Sequence, residues 1–305
     1  MTDTASLALS GLKVAVLAGD RRMLEIMRLA RAAGATVTAF GSAPGADVAS
    51  GRLAAATLEE AVTGADLVIC PVPGLGPNDT LWTPNHETPV ALSAAALSLA
   101  NPGCQMFMGS VSPGITAICA ESGTVTPVAH GDDDVEALLH AIPTAEGAVH
   151  QAIELSDITL MGSRCLCTGF GRVGQSMALL LRGMGADVTV CARSEFQRAR
   201  ATGFGMKAKP MTSLGEELAS ADFAFQSAWG RQGYVLTREL LSQANPEIVI
   251  IELASPPSGT DLEACEEFGL TATWARGQAG TAPRTAGADE WQVIARMYAE
   301  SRSVG

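Results

Sequence analysis

The chain has 305 residues, and its 32 Asp and Glu residues against 20 Lys and Arg residues give a formal net charge of −12 at pH 7. This acidity, with only 5% aromatic residues, excludes a protein built to bind the phosphate backbone of nucleic acids. The length predicts two domains, each large enough to bury a core of its own.

The seven cysteines are scattered along the chain, and no Cys-x-x-Cys pair occurs. We therefore expect small core residues in a reducing compartment, and we predict no metal site. Residues 1–10 lack a basic segment followed by an apolar one, and no apolar run is long enough to cross a bilayer. These features predict a soluble, cytoplasmic protein with no membrane partner.

Strands alternate with helices through the first half of the chain, beginning with the strand Lys13 to Ala18 and a helix from Leu24. Further strands are predicted at 35–40, 66–70, 105–108 and 124–128, and helices at 58–62, 90–99 and 115–121. This alternation is typical of a parallel sheet covered by helices on both faces. The first strand-to-helix turn has the single glycine Gly19, which predicts a Rossmann-like unit without a dinucleotide-binding loop.

The middle of the chain contains two helix-start patterns. Asp132-Asp133-Asp134 is most simply an N-cap followed by acids on a first helical turn. Ile142-Pro143-Thr144-Ala145-Glu146-Gly147 then opens a further helix, in which Pro143 fits an early position because its φ is fixed. We expect this second helix, 142–156, to bridge two domains.

Residues 164–178 carry the pattern that organises the second half. Cys165 to Thr168 predicts a short buried strand, Gly169, Gly171 and Gly174 give G-x-G-x-x-G, and an apolar helix follows. The first glycine makes a tight turn, the second lets backbone N–H groups approach a pyrophosphate, and the third lets the helix pack on the sheet. The predicted cofactor-binding segment is Gly169, Phe170, Gly171, Arg172, Val173 and Gly174.

The end of the next strand, Val188 to Cys191, indicates which dinucleotide is bound. An NAD site usually places an acid there for the ribose 2′-OH, whereas an NADP site lacks it and offers arginine to the 2′-phosphate. Here Arg193 and Ser194 follow the strand, and Glu195 comes one position too late. We therefore predict NADP, with an exposed arginine that has no ligand as the alternative.

Alternating elements continue to the last residues, with strands predicted at 222–226, 247–253 and 270–274 and helices at 195–201, 214–219, 236–241, 261–268 and 286–298. The predicted fold is α/β, with two Rossmann-like, doubly wound parallel-sheet domains and a cleft between them. The predicted organisation is an N-terminal substrate or partner domain at 1–141, the bridging helix at 142–156 and an NADP-binding domain at 157–283. A C-terminal helix at 284–305 is expected to pack back on the first domain.

Five segments, in the same order and across nearly the whole chain, resemble the dipicolinate synthase A-subunit family. They are Leu12-Lys13-Val14-Ala15-Val16 with Gly19-Asp20-Arg21-Arg22 and Leu24-Glu25-Ile26, Ile142 to Ala148, Gly169 to Gly174, Leu253-Ala254-Ser255 with Gly259-Thr260-Asp261, and Pro283-Arg284-Thr285-Ala286-Gly287. The resemblance implies NADP and oxidation of a dihydrodipicolinate ring, or its hydroxy-tetrahydro precursor, to the pyridine-2,6-dicarboxylate of bacterial spores. It also implies a flavoprotein-like second subunit as partner, and we expect a homo-oligomer.

Two segments depart from that family's usual pattern. Arg276-Gly277-Gln278-Ala279-Gly280 stands where a Pro-Gly-Leu-Pro-Gly loop is typical, and Ser227-Ala228-Trp229-Gly230-Arg231 replaces an Asn-Thr-Ile-Pro segment. Both are predicted loops near the nicotinamide. The cofactor prediction is unaffected, while the ring substrate stays open.

A dicarboxylate substrate favours guanidinium groups, because bidentate pairing fixes orientation as well as charge. Arg21 and Arg22 lie at the first strand-to-helix turn, and they are the predicted anchors. The alternative is a solvated pair at a helix start, although the helix dipole disfavours arginine there. The further candidates for substrate binding are Arg284, Thr144, Ser110, Ser112 and Ser255.

Glu146 is the predicted general base, and Asp20 is the second choice. Oxidation of a dihydropyridine gains aromaticity, so orientation of the ring against the nicotinamide is expected to matter more than a strongly tuned base. His86, His130 and His140 are predicted to be surface or loop residues, and no histidine follows His150. Two alternatives stay open: a dehydrogenase for another small carboxylic acid, and a non-catalytic NADP-binding subunit or sensor.

Overall fold

The structure, a computed structural model, describes residues 9–52, 54–72, 80–84, 89–230 and 233–303. Two residues named above, His86 and Arg231, lie outside these ranges. The chain divides into two compact units: unit 1 is Met1–Leu139 with Ala282–Gly305, and unit 2 is His140–Thr281. The boundary at 139/140 falls inside one helix, and the one at 281/282 precedes the last helix.

Unit 1 is built on a five-stranded parallel sheet with the strand order β2-β1-β3-β6-β7. Its strands are β1 (Lys13–Leu17), β2 (Thr36–Phe40), β3 (Leu67–Ile69), β6 (Cys104–Met108) and β7 (Val125–Ala129), and the short strands β4 (Thr80–Leu81) and β5 (Val90–Ala91) pair antiparallel with each other. β1 and β3 are fully buried beyond Lys13, as expected for strands covered on both faces.

The described residues between and after these strands form the helices α1 (Arg22–Ala32), α2 (Ala46–Ser50), α3 (Leu58–Val62), α4 (Ala94–Leu97), α5 (Pro113–Ser122) and α6 (Asp134–Glu154). Local signals explain several of their starts. Thr57, Ser93 and Ser112 each accept a backbone N–H as the N-cap of α3, α4 and α5. Asp133 likewise accepts the N–H groups of Val135 and Glu136, which confirms the predicted acidic cap of α6.

Unit 2 contains a six-stranded parallel sheet with the order β10-β9-β8-β11-β12-β13. The strands are β8 (Arg164–Thr168), β9 (Asp187–Cys191), β10 (Lys207–Lys209), β11 (Phe223–Gln226), β12 (Val249–Glu252) and β13 (Thr271–Trp274). The helices between them are α7 (Arg172–Gly183), α8 (Glu195–Gly203), α9 (Leu214–Leu218), α10 (Arg238–Leu241) and α11 (Leu262–Glu267). This is the 3-2-1-4-5-6 order of dinucleotide-binding folds, and the predicted α/β class with parallel sheets is confirmed.

Several predicted helices differ in their bounds from the observed ones. In the predicted helix 90–99, Val90–Ala91 form β5 and the helix α4 covers Ala94–Leu97. The expected bridging helix is the second half of α6, so Pro143 lies inside a helix of 21 residues and not near its start. Pro143 has no N–H to donate, yet the helix continues, and in the next position Thr144 Oγ1 donates to the carbonyl of His140 at 2.7 Å. The last helix, α12 (Pro283–Ser303), extends beyond both ends of the predicted helix 286–298 and lies close to the bounds of the predicted C-terminal segment 284–305.

Helix α12 belongs to the core of unit 1, where it packs against α1. Its buried side chains Ile294 and Tyr298 join Ile26, Met27 and Ala30 of α1 in one apolar cluster. A Cβ built on Gly287 would lie 2.4 Å from the carbonyl oxygen of Arg22, so only glycine permits this approach of the two helices.

Candidate functional site

The three glycines after β8 differ in what their surroundings demand. Gly169 has φ +84°, a left-handed conformation that favours glycine, and its Cβ would lie 3.2 Å from that of Ala228. A Cβ on Gly174 would lie 2.5 Å from the carbonyl oxygen of Gly169 and 2.6 Å from Ser227 Oγ. At Gly171 no heavy atom stands within 4 Å of the added Cβ. Two glycines are therefore required by the fold, whereas Gly171 faces open space.

Gly171 is also the N-cap of α7, and it offers no side chain to the first turn of this helix of 12 residues. The N-terminus of a helix binds anions through its N–H groups and its dipole. Arg172 next to it is exposed, and Val173 is half-buried. The ring of Phe170 is buried, with its centroid 6.4 Å from that of Phe204, so this side chain belongs to the core of unit 2. We call residues 169–174 the glycine cradle.

Beside the cradle, the end of β9 carries no acid, and both Arg193 and Ser194 are exposed. Ser194 caps α8 by accepting the N–H of Gln197 at 3.5 Å. The guanidinium of Arg198 donates to the carbonyls of Ala192 at 2.8 Å and Arg193 at 2.7 Å, which fixes the backbone that carries the Arg193 side chain. The predicted first-turn role of Glu195 agrees with its place as the first residue of α8.

These residues fit a phosphorylated dinucleotide by their chemistry. The cradle supplies open space in front of a helix N-terminus, and an exposed guanidinium stands at the end of the neighbouring strand. Guanidinium groups pair with phosphate through two parallel hydrogen bonds. The sequence positions that predict NADP are thus accessible in unit 2.

A row of buried polar side chains ends three adjacent inner strands of the same sheet, and the sequence did not predict it. Thr168, Gln226 and Glu252 are neighbours in the registers of β8, β11 and β12, and none of them is exposed to solvent. Thr168 Oγ1 donates to Gln226 Oε1. The only sequence signal was a polar residue closing each apolar strand, which is also what an ordinary loop start looks like.

Burial raises the pKa of the Glu252 carboxyl, and hydrogen bonds from Thr260 and Ala254 offset part of that rise. A buried carboxyl group with a perturbed pKa at the carboxyl end of a strand is a feature of functional sites. Glu252 is therefore a candidate for a functional role in unit 2.

In unit 1, Arg22 lies within a buried network. Its Nε donates to Asp20 Oδ1 at 3.0 Å and its NH1 to Glu290 Oε1 of α12 at 2.9 Å, while only 5% of the residue is exposed. Burial lowers the pKa of Arg22, but the charges of Glu290 and Asp20 outweigh it and leave the guanidinium fully protonated. The predicted pair is thus divided, because Arg22 holds α1 to α12 and Arg21 is exposed.

The other predicted substrate residues are spread over both units. Ser110 and Ser255 are exposed in loops, whereas the hydroxyl of Ser112 is the N-cap of α5, where it accepts the N–H of Ile115 at 3.0 Å. Arg284 is 87% exposed in its side chain and stands 4.0 Å from Glu25. Ser110, Ser112 and Arg284 belong to unit 1, whereas Ser255 belongs to unit 2.

The predicted bases have different surroundings. Glu146 is exposed on α6, one residue before Gly147, whose Cβ would lie 2.4 Å from Gln278 Oε1. Gly147 therefore accommodates the segment that departs from the family pattern. Asp20 accepts both the N–H and the Nε of Arg22, so its carboxylate is already bound.

His130 was predicted as a surface or loop residue, and the surface part is wrong. It follows β7 and is buried, with its Nδ1 2.6 Å from Glu136 Oε2. Its Nε2 has no hydrogen-bond partner among the described residues. A polar residue just beyond a strand resembles a loop residue in sequence, and the pairing with an acid six positions later was not recognised. His150 is exposed and stands 3.4 Å from Glu154.

Metal ligation and membrane insertion find no support in the described ranges. No set of three or more His, Cys, Asp or Glu side chains in these ranges is arranged to hold a metal ion. None of the helices in the described part of the chain has the length and apolar character needed to cross a membrane.

Comparison with known proteins gives consistent results. The family model of the dipicolinate synthase A subunit, N-terminal domain, matches residues 13–126. The A subunit of dipicolinate synthase from Bacillus subtilis (strain 168) is 30% identical over 293 residues, which cover 96% of this chain and 97% of that protein. The crystal structure of the same Bacillus subtilis subunit superposes with a TM-score of 0.84 at 30% identity, covering 99% of this chain and 100% of that one.

Two further structures extend the comparison. The dipicolinate synthase A subunit from Bacillus halodurans has a TM-score of 0.80 at 26% identity, with 96% of this chain and 98% of that chain covered. An L-alanine dehydrogenase has a TM-score of 0.66 at 16% identity, with 96% and 91% covered, which shows a shared fold and nothing more.

Proposed function

The chain belongs to the dipicolinate synthase A-subunit family, and on that premise we propose that it is an NADP-dependent oxidoreductase. Its substrate would be a dihydrodipicolinate, formed directly or from the hydroxy-tetrahydro precursor by loss of water. Its product would be pyridine-2,6-dicarboxylate. NADP⁺ would accept a hydride from the ring, and one proton would leave the ring as it becomes aromatic.

The observation that carries this proposal is the glycine cradle. Gly171 leaves the N-terminus of α7 open, although no neighbour requires a glycine at that position. Such an opening suits a pyrophosphate, because its oxygens need close approach to backbone N–H groups. Arg193 and Ser194, with no acid at the end of β9, favour the 2′-phosphate of NADP over the free hydroxyl of NAD.

We assign the carboxylate of the substrate to Arg21. Its side chain is exposed, while Arg22 is held by Asp20 and Glu290 and so keeps the turn in place. Ser110 and Ser255 are exposed and keep their proposed role as hydroxyl donors, with Thr144, Ser112 and Arg284 as further candidates. Dicarboxylate recognition by guanidinium gives orientation as well as affinity.

Glu146 is the proposed proton acceptor. It is exposed, whereas Asp20 is bound to Arg22 and could accept a proton only by giving up that partner. A homo-oligomer and a second, flavoprotein-like subunit complete the proposal, by analogy with the family. A protein that binds NADP without turnover is the alternative function.

The test mixes the purified protein with NADP⁺ and freshly formed product of dihydrodipicolinate synthase, and follows the absorbance of NADPH and of the pyridine dicarboxylate. Equal amounts of both products are expected, and Arg21→Gln should raise KM for the ring substrate without changing the dissociation constant of NADPH. Binding of NADPH with no turnover, with and without the second subunit, would support the sensor instead. Turnover unchanged in Glu146→Gln would remove Glu146 as the proton acceptor.

A further inference from the structure

The loop that follows β12 is organised around the Glu252 carboxylate. Glu252 Oε1 accepts the N–H of Ala254 at 2.7 Å, and its Oε2 accepts the hydroxyl of Thr260 at 2.5 Å. Glu252 and Thr260 are both buried. A buried carboxylate is costly unless hydrogen bonds satisfy it, and here the donors come from both ends of one loop. The carboxylate therefore closes residues 254–260 into a defined shape.

Other contacts fix the same loop. The carbonyl of Ala254 accepts the indole N–H of Trp274 at 3.0 Å, so both backbone groups of Ala254 are bound by side chains. Ser258 Oγ donates to the carbonyl of Thr260 at 2.8 Å and accepts the N–H of Thr260 at 3.0 Å. The exposed Ser255 is thus carried by a loop whose two ends are held in place.

The loop rests directly on the strand beside it. A Cβ built on Gly259 would lie 1.7 Å from Gln226 Nε2 and 2.7 Å from the carbonyl oxygen of Ala228. Gln226 in turn binds both backbone groups of Ala228, donating to its carbonyl at 2.6 Å and accepting its N–H at 2.9 Å. Ala228 is the residue that packs on Gly169 of the cradle. Contacts therefore run without a break from Glu252 to the cradle.

These contacts lie on one side of the cradle. Arg193, on the opposite side, marks the end of β9 where the adenosine ribose binds in folds of this strand order. The other nucleotide of a dinucleotide then lies over β11 and β12, whose ends are set by Gln226 and Glu252.

We infer that Glu252 is a positioning residue for the nicotinamide half of the cofactor, an inference that rests on the dinucleotide site proposed above. Its carboxylate fixes the conformation of the loop 254–260. Gly259 of this loop packs on Gln226, and Gln226 holds Ala228 against the cradle. Glu252 itself touches no ligand, because it is fully buried.

Both carboxylate oxygens of Glu252 are used as acceptors. An amide at this position has one acceptor oxygen, and its NH₂ group would face either the N–H of Ala254 or the hydroxyl of Thr260. Two donors would then oppose each other in a buried place, so the loop would move. Glu252→Gln therefore changes the loop with almost no change in side-chain volume.

The experiment measures two dissociation constants for each protein, that of NADPH and that of adenosine 2′,5′-bisphosphate, which lacks the nicotinamide half. In Glu252→Gln we expect NADPH to bind about tenfold more weakly and the bisphosphate to bind within about twofold of wild type. Glu247→Gln, an exposed acid before the same strand, is the matched control and should change neither constant. Should Glu252→Gln fail to fold, Thr260→Val removes one donor and should give a smaller loss for NADPH alone.

The outcomes distinguish a failure of the proposed dinucleotide site from a failure of the inference about Glu252. A wild-type protein that binds neither ligand would overturn the proposed function itself. A wild type that binds both, with variants that keep the wild-type ratio of the two constants, would overturn only the inference about Glu252. An equal loss for both ligands would also overturn it, since Glu252 would then serve the unit as a whole.

Discussion

The first turn of each unit's sheet can be compared directly, since β1–α1 and β8–α7 are the same element of structure. Gly19 and Gly169 have nearly equal left-handed φ angles, +80° and +84°. In unit 1 the turn is then filled by its own side chains, because Asp20 Oδ1 accepts the N–H of Arg22 at 3.0 Å. In unit 2 the corresponding space at Gly171 is open. The two turns thus differ in one respect: an internal acid occupies the helix N-terminus in unit 1, whereas the one in unit 2 leaves room for the anion that we propose there.

The largest effect is expected from breaking the filled turn. Arg22→Ala removes the guanidinium that pairs with the half-buried Asp20 and the buried Glu290. Loss of one partner of a buried ion pair typically costs about 3–5 kcal/mol, so the urea midpoint should fall sharply. Arg21→Ala, at the exposed neighbour, should leave the midpoint nearly unchanged.

That pair of variants also tests the assignment of roles. If Arg22→Ala kept wild-type stability and raised KM for the ring substrate, Arg22 would bind the substrate. The claim that Arg22 stabilises the turn of unit 1 would then be wrong. The same conclusion would follow if Arg21→Ala lowered the urea midpoint and Arg22→Ala raised KM.

Two alanine substitutions test the open turn of unit 2, one for its packing and one for its binding of the cofactor. Gly174→Ala places a methyl group against the carbonyl of Gly169, and overpacking of this kind costs about 1–3 kcal/mol. Gly171→Ala meets no protein atom, so stability should stay within about 1 kcal/mol of wild type while NADPH binding is lost. Thermal unfolding and NADPH titration of both variants are the measurements. Wild-type affinity in Gly171→Ala would show that no phosphate approaches this residue.

The next largest effect is expected on the preference for NADPH over NADH. Arg193→Gln removes an exposed guanidinium at the end of β9. A hydrogen bond to a charged group is worth about 1.5–3 kcal/mol, so the preference for NADPH over NADH should fall by about tenfold or more. NADH affinity should not change, and a parallel loss of NADH affinity would place the effect elsewhere in unit 2.

The smallest effect concerns the cap of α6 in unit 1. Burial raises the pKa of Asp133, but the amide of Glu136 and the guanidinium of Arg296 outweigh it, so this pKa lies below its usual value. A lowered pKa in the folded state gives stability that is present above the unfolded value of about 3.9 and is lost as pH falls through the folded one. Asp133→Asn keeps a capping oxygen and loses the charge, so it should cost less than about 1 kcal/mol at pH 7.

Unfolding of wild type and Asp133→Asn across an acidic pH series is the measurement for this prediction. The difference in unfolding free energy should shrink as pH decreases. A difference that stays constant or grows in acid would show that the Asp133 charge does not contribute through Arg296 and the cap.

The sequence predicted the parts of the molecule that depend on local rules. Both parallel sheets follow from the alternation of strands and helices, and the cradle follows from the spacing of Gly169, Gly171 and Gly174, of which the first and the third meet a local geometric requirement. The polar edge strand Lys207–Lys209 was missed because its lysines look like a loop. Pro143 was predicted at a helix start because proline is favoured there, but it lies inside the longer helix α6.

The rest depended on partners far away in sequence. Arg22 looked like a ligand group because its acid Glu290 lies 268 positions later, and no local pattern announces such a pair. Gln226 and Glu252 look like ordinary strand ends until the register of β11 and β12 places them side by side. Long-range charge pairing and register are set by tertiary structure, which is why these roles appear only in the fold.

The place of α12 has a consequence for how this protein is made. Residues 140–281 form one unit, and they leave the ribosome before the helix that completes the other unit. Until then the face of α1 that carries Ile26, Met27 and Ala30 lacks Ile294 and Tyr298, which cover it in the finished molecule. The unit that is translated first therefore cannot be completed until the last helix has been synthesised, and until then this apolar face of α1 lacks its native cover.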